Sequence, residues 1–325
     1  MNTESDRNRC MENLTEFSVV IPIYNEAENI DELHRRLTMV MEKLCVDEGH
    51  PKNCYEIILV DDGSRDGSWA LIKGVHEKDA RVKGMNFSKN FGHHIALTAG
   101  LDYVKGETII LMDGDLQDPP EEIPKLYRKF KEGYDLVYGI RRERKDSFLK
   151  KVTSHMFWMI LRKFTGVDMP RNQTMLRILS KRLVEVLRGM REYARFVHGM
   201  MAWVGFEVTT IEVEHRARTR GKSKYNIPRL FKLAFHAVTS FSTVPLRLAI
   251  YAGFISSFIS LFVGLYFIFR KIVYNIPVLG YASIIVSIFF VGGVQLLMLG
   301  IFGEYLGRTY QETQRRPLYI LKEKV

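Results

Sequence analysis

Two carboxylates separated by a single small residue, Asp113-Gly114-Asp115, stand directly after the apolar run Thr108–Met112. A pair of this kind at the end of a strand can hold a hard divalent cation together with a diphosphate. Mg²⁺ accepts one or two carboxylates, keeps several waters and takes phosphate oxygens from its substrate. Taken alone, the same three residues also fit a solvated acidic turn capping the helix that starts near Pro120. Two further polar strings follow apolar runs. Asn25-Glu26 comes after Phe17–Ile23, and Asp61-Asp62-Gly63-Ser64 comes after Glu56–Val60. The second is also good turn chemistry.

The elements needed to bring these strings together can be read from periodicity. Residues 17–140 alternate short β-rich runs with amphipathic stretches, which predicts an α/β domain with a mostly parallel sheet. The expected strands are Phe17–Ile23, Glu56–Val60, Val82–Phe87, Thr108–Met112 and Leu136–Tyr138. Asn25 with Glu28 three residues on reads as a capping box. Ile30, Leu33, Leu37, Met41 and Leu44 then share one helical face. In such sheets ligands bind beyond the carboxyl ends of the strands, where all three polar strings fall. No Gly-x-Gly-x-x-Gly follows the first strand and no Walker-type loop occurs, which argues against dinucleotide oxidoreductases and P-loop enzymes. His93-His94 sits in a loop entering a helix and reads as packing or solvation rather than metal binding.

The chain of 325 residues carries a formal net charge of +10, but unevenly. From Val244 to Gly303 only Arg247, Arg270 and Lys271 are charged. Leu248–Phe269 is a charge-free run of 22 residues, and Ile272–Gly303 is one of 32. A span needs about 20 apolar residues, so these predict two transmembrane helices, the second near Ala282–Gly303. The division expected is a polar segment 1–16, a catalytic domain 17–226, an amphipathic juxtamembrane helix 227–243, a two-span hairpin 244–303 and a tail 304–325. Arg308, Arg315, Arg316, Lys322 and Lys324 beside the outer ends predict that both termini and the large domain are cytoplasmic. Cys10, Cys45 and Cys54 have no metal spacing and cannot all pair, which points to a reducing compartment.

Pro22-Ile23-Tyr24-Asn25-Glu26, Val60-Asp61-Asp62-Gly63-Ser64 and Asp113-Gly114-Asp115-Leu116-Gln117 stand in the order and spacing of family 2 glycosyltransferases of GT-A fold. With Gly221-Lys222-Ser223-Lys224-Tyr225 before a two-span tail, the chain resembles the polyprenyl-phosphate glycosyltransferases, the group of dolichyl-phosphate mannose synthase and the undecaprenyl-phosphate sugar transferases. The resemblance implies a GT-A-like sheet followed by a membrane hairpin, and a homo-oligomer. Its partners would be a nucleotide-sugar donor, UDP-linked, a polyprenyl-phosphate acceptor and membrane lipids, with no nucleic acid. It implies that Pro22, Tyr24, Glu26, Val60, Asp62, Asp113 and Gly114 hold the nucleotide, Asp62 reading the base and Asp61 being structural. Asp113, Asp115 and Gln117 match the positions for Mg²⁺ or Mn²⁺, with Asp115 the first choice for direct ligation. Arg141, Lys150, Arg218 and Lys224 match positions that meet the two phosphates. Asp115, Arg177 and Lys224 are the residues implied to carry catalysis. The Gln-x-x-Arg-Trp string of processive synthases is absent, which argues for a single sugar transfer.

The basic excess fits this chemistry. Arg141–Lys151 nets +4 (six basic, two acidic) and Glu214–Tyr251 nets +7 (eight basic, one acidic), so both anions would meet a cationic rim. The alternating run from Arg216 to Lys224 equally suits anionic lipid headgroups. Relatives carry an acid in a Gly-Asp-Phe-Arg-Leu-like string, whereas this chain reads Asn172-Gln173-Thr174-Met175-Leu176-Arg177, with Asp168 the nearest upstream carboxylate. A phosphate monoester has a second pKa near 6 and arrives ionised at neutral pH, so a general base is dispensable. A glycan or lipid hydroxyl acceptor, the second reading, needs that base. A membrane-anchored basic scaffold, the third, leaves both acid pairs unexplained.

Overall fold

The computed structural model describes residues 15–141, 170, 172–214, 243–274 and 280–325. Lys150, Asp168, Arg218, Lys224 and the expected amphipathic helix over 227–243 lie outside the described residues. The chain divides into two compact units, one comprising residues 1–155, 167–224 and 317–325, the other 156–166 and 225–316.

The first unit is a mixed sheet of eight strands, β1 (Phe17–Ile23), β2 (Tyr55–Asp61), β3 (Val82–Phe87), β4 (Thr108–Leu111), β5 (Leu136–Arg141), β6 (Gln173–Ser180), β7 (Val208–Val213) and β8 (Leu321–Lys324), in the order β7-β5-β6-β4-β1-β2-β3-β8. The strands expected from sequence recur, two of them to the residue, because each is an apolar run bounded by turn residues. β1 pairs in parallel with β2 and β4, and β2 with β3. β6 runs antiparallel between β4 and β5, and β8 runs antiparallel on β3. Neither was expected. β6 had been read only as a departure from a family string, and β8 falls inside the stretch 304–325 read as a tail.

Helices α1 (Ile30–Asp47), α2 (Ser68–Lys78), α3 (His93–Tyr103) and α4 (Ile123–Phe130) connect the first five strands, and α5 (Lys181–Gly189) and α6 (Val197–Trp203) follow β6. The stripe predicted for α1 is buried, Ile30, Leu33, Leu37 and Met41 being at most 1% exposed. They pack with Phe17, Val19 and Ile57 in one core. The capping box is not formed. Asn25 takes a left-handed φ of 56°, a 3-10 turn occupies Ala27–Asn29, and Asn25 Oδ1 instead accepts from the backbone N–H of Arg65 at 2.9 Å. Cys45 at the end of α1 and Cys54 before β2 are joined in a disulfide, which departs from the expectation of a reducing compartment. The short return from α1 to the sheet brings their Cα atoms to 6.4 Å.

At the edge where β1 and β2 begin, a buried acid is fully engaged. Glu56 accepts from Ser18 Oγ at 2.6 Å and from the N–H of Lys105 at 2.7 Å, and it pairs with Lys83 Nζ. Ser18 Oγ in turn accepts from Gly106 N–H at 2.8 Å. Glu56 and Ser18 each have partners, which offsets the cost of burying them.

The second unit contains α7 (Val244–Tyr274) and α8 (Tyr281–Thr313). Both contain candidate membrane spans, Val244–Val273 with mean hydropathy 2.0 and Ser287–Thr313 with 1.6. Large apolar side chains face outward along both, Phe254 being 74% and Phe289 77% exposed. A soluble pair of helices would bury such groups against something, whereas lipid covers them.

Candidate active site

The parallel strands β1, β2 and β4 end at one edge, and β6 begins there because it runs the other way, Arg177 lying opposite Leu111 and Gln173 opposite Ile140. Beyond that edge is a pocket of about 270 Å³ lined by residues from four separate loops. Pro22 and Ile23 end β1 and Tyr24 and Glu26 follow it, Asp62 follows β2, Asn90 and Gly92 lie between β3 and α3, His93 opens α3, and Asp113, Gly114 and Asp115 follow β4.

Two glycines make the convergence possible. A Cβ on Gly114 would stand 2.6 Å from Ile23 Cδ1, so a larger residue would have to displace the tip of Ile23 as the acidic loop closes on the end of β1. Gly63, at φ +70°, has the backbone of Lys89 and Asn90 in the place of a Cβ, at 2.6 and 2.8 Å. The acidic loop is also strained, since Leu116 holds a φ of 58°. An apolar side chain there costs roughly 1–2 kcal/mol, a kind of strain that clusters at functional sites.

Of the residues implied by the resemblance, the pocket brings together Pro22, Tyr24, Glu26, Asp62, Asp113, Gly114 and Asp115. Val60 is fully buried within β2 and supports the site from beneath. Gln117 is not in the pocket wall, and its backbone N–H donates to Asp115 Oδ1 at 3.1 Å. Asp62, 3% exposed, accepts from the N–H groups of Phe91 at 2.7 Å and Gly92 at 3.0 Å. It therefore fastens the pocket loop. Asp61 accepts from Ser64 N–H at 3.0 Å, while burial raises its pKa and its Oδ2 has no partner among the described residues.

Arg177 is 1% exposed and outside the pocket wall. Its Nη2 donates to Thr174 O at 2.7 Å and its Nη1 to His198 Nδ1 at 3.0 Å, and its guanidinium lies over the Tyr138 ring at 4.9 Å. An arginine can only donate, so His198 Nδ1 must be the acceptor and its ring neutral. Burial, and after it the charge of Arg177, pushes the His198 pKa far down. Arg141 ends β5, and its buried Nε has no partner among the described residues.

Several site residues escaped sequence reasoning. His93 lines the pocket with Nδ1 3.9 Å from Asp113 Oδ1, whereas His94 packs against Phe196 and His198, as packing had suggested. Asp118, 3% exposed, accepts from the N–H groups of Met175 at 3.1 Å and Leu176 at 3.4 Å, so this acid is committed to β6. A lone histidine pair and an acid before Pro-Pro carry no periodic signal that could have found them.

For a divalent cation, the donor set is two adjacent carboxylates on one wall and no cluster of three ligating side chains among the described residues. That suits Mg²⁺ or Mn²⁺ completed by substrate phosphate and water rather than a protein-only cage.

Residues 18–187 match Glycosyl transferase family 2. The chain belongs to that family and is a glycosyltransferase, with the GT-A-like sheet and the following pair of long apolar helices that the resemblance implied. A Synechocystis sp. protein described as an uncharacterized glycosyltransferase is 40% identical over 309 residues, covering 95% of both chains. A bactoprenol glucosyl transferase of Shigella phage SfX is 38% identical over 308 residues, covering 94% of this chain and 99% of its own. Among solved structures, a mannosyltransferase of Pyrobaculum calidifontis in complex with GDP-Man and Mn²⁺ aligns over 77% of this chain and 81% of its own, at 16% identity and a TM-score of 0.45.

Proposed function

We propose that this glycosyltransferase moves one sugar, with inversion, from a UDP-linked donor to a polyprenyl phosphate. The observation that carries the reading is the gathering of seven motif residues from three distant strings around one pocket. The name of the phage relative, a bactoprenol glucosyl transferase aligned along nearly its whole length, supports the acceptor class.

Tyr24 and Pro22 offer an apolar wall for a base and ribose, and Glu26 offers acceptor oxygens for hydroxyls. A phosphate oxygen of the acceptor attacks the anomeric carbon from the face opposite the diphosphate. One C–O bond forms as the other breaks, and the electron pair leaves on the diphosphate. The acceptor is already ionised, so no carboxylate has to take a proton. Asp62, bound to the loop, is free of that duty. Asp113 and Asp115 would hold Mg²⁺ or Mn²⁺, which when bound supplies Lewis-acid stabilisation of negative charge on the diphosphate. Arg141 ends a strand at the same edge and suits a phosphate. Lys150, Arg218 and Lys224, outside the described residues, remain part of the proposal as phosphate ligands, Lys224 and Arg177 retaining the proposed catalytic support.

The chain leaves the catalytic unit after Lys224 and re-enters it at Pro317, so a two-span hairpin would return it to the side it left. With arginines and lysines beside the outer ends, that side is the cytoplasmic one, with the protein a homo-oligomer. The test is a panel of radiolabelled nucleotide sugars offered with undecaprenyl phosphate, products identified by mass. One sugar on the lipid phosphate is expected. Transfer only to a hydroxyl acceptor, or to none, would sink the proposal.

A further inference from the structure

The segment following the second long helix, Pro317–Val325, belongs to the catalytic unit and is built onto the residues that carry the pocket loop. Tyr319 stacks on Phe87, ring centroids 5.3 Å apart and planes at 16°. Phe87 meets Phe91 edge-on at 5.6 Å, and Phe91 is the residue whose N–H is held by Asp62 at 2.7 Å. The loop's first amide, Ser88 N–H, donates to Ile320 O at 3.0 Å. At the other end, Tyr319 Oη donates to Asp102 Oδ2 at 3.0 Å, and Asp102 sits on α3, the helix that begins with His93. Farther along, Gly84 and Val325 exchange backbone hydrogen bonds of 3.0 and 2.9 Å, and Glu323 accepts from Trp69 Nε1 at 2.6 Å.

The loop 88–93 is therefore held at its start by one short segment, which also fastens the far end of α3 at Asp102, while the loop's middle and end supply Asn90, Gly92 and His93 to the pocket. The β2 turn presses on it at Gly63, leaving no room for a side chain there. A loop fixed in this way loses little conformational freedom when a ligand arrives, which is where preorganisation raises affinity. The strand β8 is polar and mostly exposed, so burial of its own side chains does not account for its place in the sheet.

We propose that Tyr319, with the backbone of residues 320–325, is a positioning element for the donor site, holding Phe87–His93 in the shape that receives the nucleotide. This rests on reading the pocket as the nucleotide-sugar site. It also gives the membrane hairpin a direct covalent connection to donor binding, since Pro317 follows the end of its second helix by only a few residues.

The test uses the full chain in detergent, with UDP-glucose and undecaprenyl phosphate as substrates and hydrogen exchange as a second measurement. Loss of the aromatic stack and the hydroxyl in Tyr319→Ala is expected to raise the KM for UDP-glucose about tenfold with the lipid KM unchanged. Tyr319→Phe keeps the stack and should stay within about threefold of wild type. Amides of 88–93 should exchange faster in Tyr319→Ala while those of β1 and β2 keep their protection. An unchanged donor KM, or exchange that rises equally through the whole sheet, would overturn the proposal. Should Tyr319→Ala fail to fold, Tyr319→Leu, which keeps apolar bulk but removes the aromatic stack, is expected to shift the donor KM and the loop exchange in the same direction, and no shift would count against the proposal. If wild type turns over no nucleotide sugar, the nucleotide reading fails, and the exchange measurement still decides whether the tail holds the loop.

Discussion

The two edges of one sheet treat buried polar groups in opposite ways. Where β1 and β2 begin, Glu56 and Ser18 are enclosed and satisfied, with partners on Lys83, Lys105 and Gly106. Where those strands end, Asp61 Oδ2 and Arg141 Nε are buried with no partner among the described residues, and Asn25 and Leu116 hold left-handed backbones. Unsatisfied buried atoms and strained residues each cost of order 1–3 kcal/mol. The first edge contributes stability, and the second gives some of it up around the loops that carry Asp113 and Asp115 to the pocket.

Substitutions at the two edges should therefore separate activity from stability. The largest effect is expected at the pocket. Asp115→Ala should lower transfer by about 10³-fold, the loss typical of removing a group that stabilises developing charge, with an unaltered melting temperature. Full transfer by that variant in EDTA-treated membranes given lipid acceptor would erase the distinction. At the opposite edge, Glu56→Ala strands the Ser18 hydroxyl, the Lys105 backbone N–H and the Lys83 ammonium. It should cost about 3 kcal/mol of stability in denaturant melts, while the KM for each substrate stays as in wild type.

A smaller effect is expected from pH. Burial, then the charges of His93, Arg177 and Arg195, push the His94 pKa down to about 4 from an ordinary 6.5. Between those values the unfolded chain binds a proton that the folded one refuses, so stability should be intact above pH 6.5 and decline as the pH falls toward 4. Solvent reaching the ring trims this to on the order of 1–2 kcal/mol. Thermal melts across that range should show the decline, and His94→Phe should lessen it, the buried His198 keeping its own share. A variant as acid-sensitive as wild type would assign the effect elsewhere.

Much of this molecule was legible before any coordinates. β1 and β3 are apolar runs closed by turn residues, the α1 stripe repeats at helical spacing, and two long charge-free runs can satisfy their backbones in lipid only as helices. The strings Pro22–Glu26, Asp61–Ser64 and Asp113–Asp115 were chemically conspicuous because polar residues directly after apolar strands fall at the ligand-binding edge of a parallel sheet. Other features could not be read from the chain, for a shared reason. That Asp62 is held by the amides of Phe91 and Gly92, and that Arg177 packs against Tyr138 and His198, follows from no local pattern. Asn25 took a left-handed turn instead of a cap. Each outcome depends on a partner that loop closure, not local spacing, brings near.

What the sequence determined by itself is what depends on neighbours along the chain, namely strand and helix periodicity, the position of the acid pairs after strands and the length of the apolar helices. Only the tertiary structure decided that β6 enters antiparallel, that His93 faces Asp113, and that Leu321–Lys324 completes the sheet beside β3. Those contacts join backbone amides and single side chains across separations too long for any residue pattern to encode. A polar strand such as Leu-Lys-Glu-Lys gains its place from the open hydrogen-bonding edge that another part of the chain presents to it.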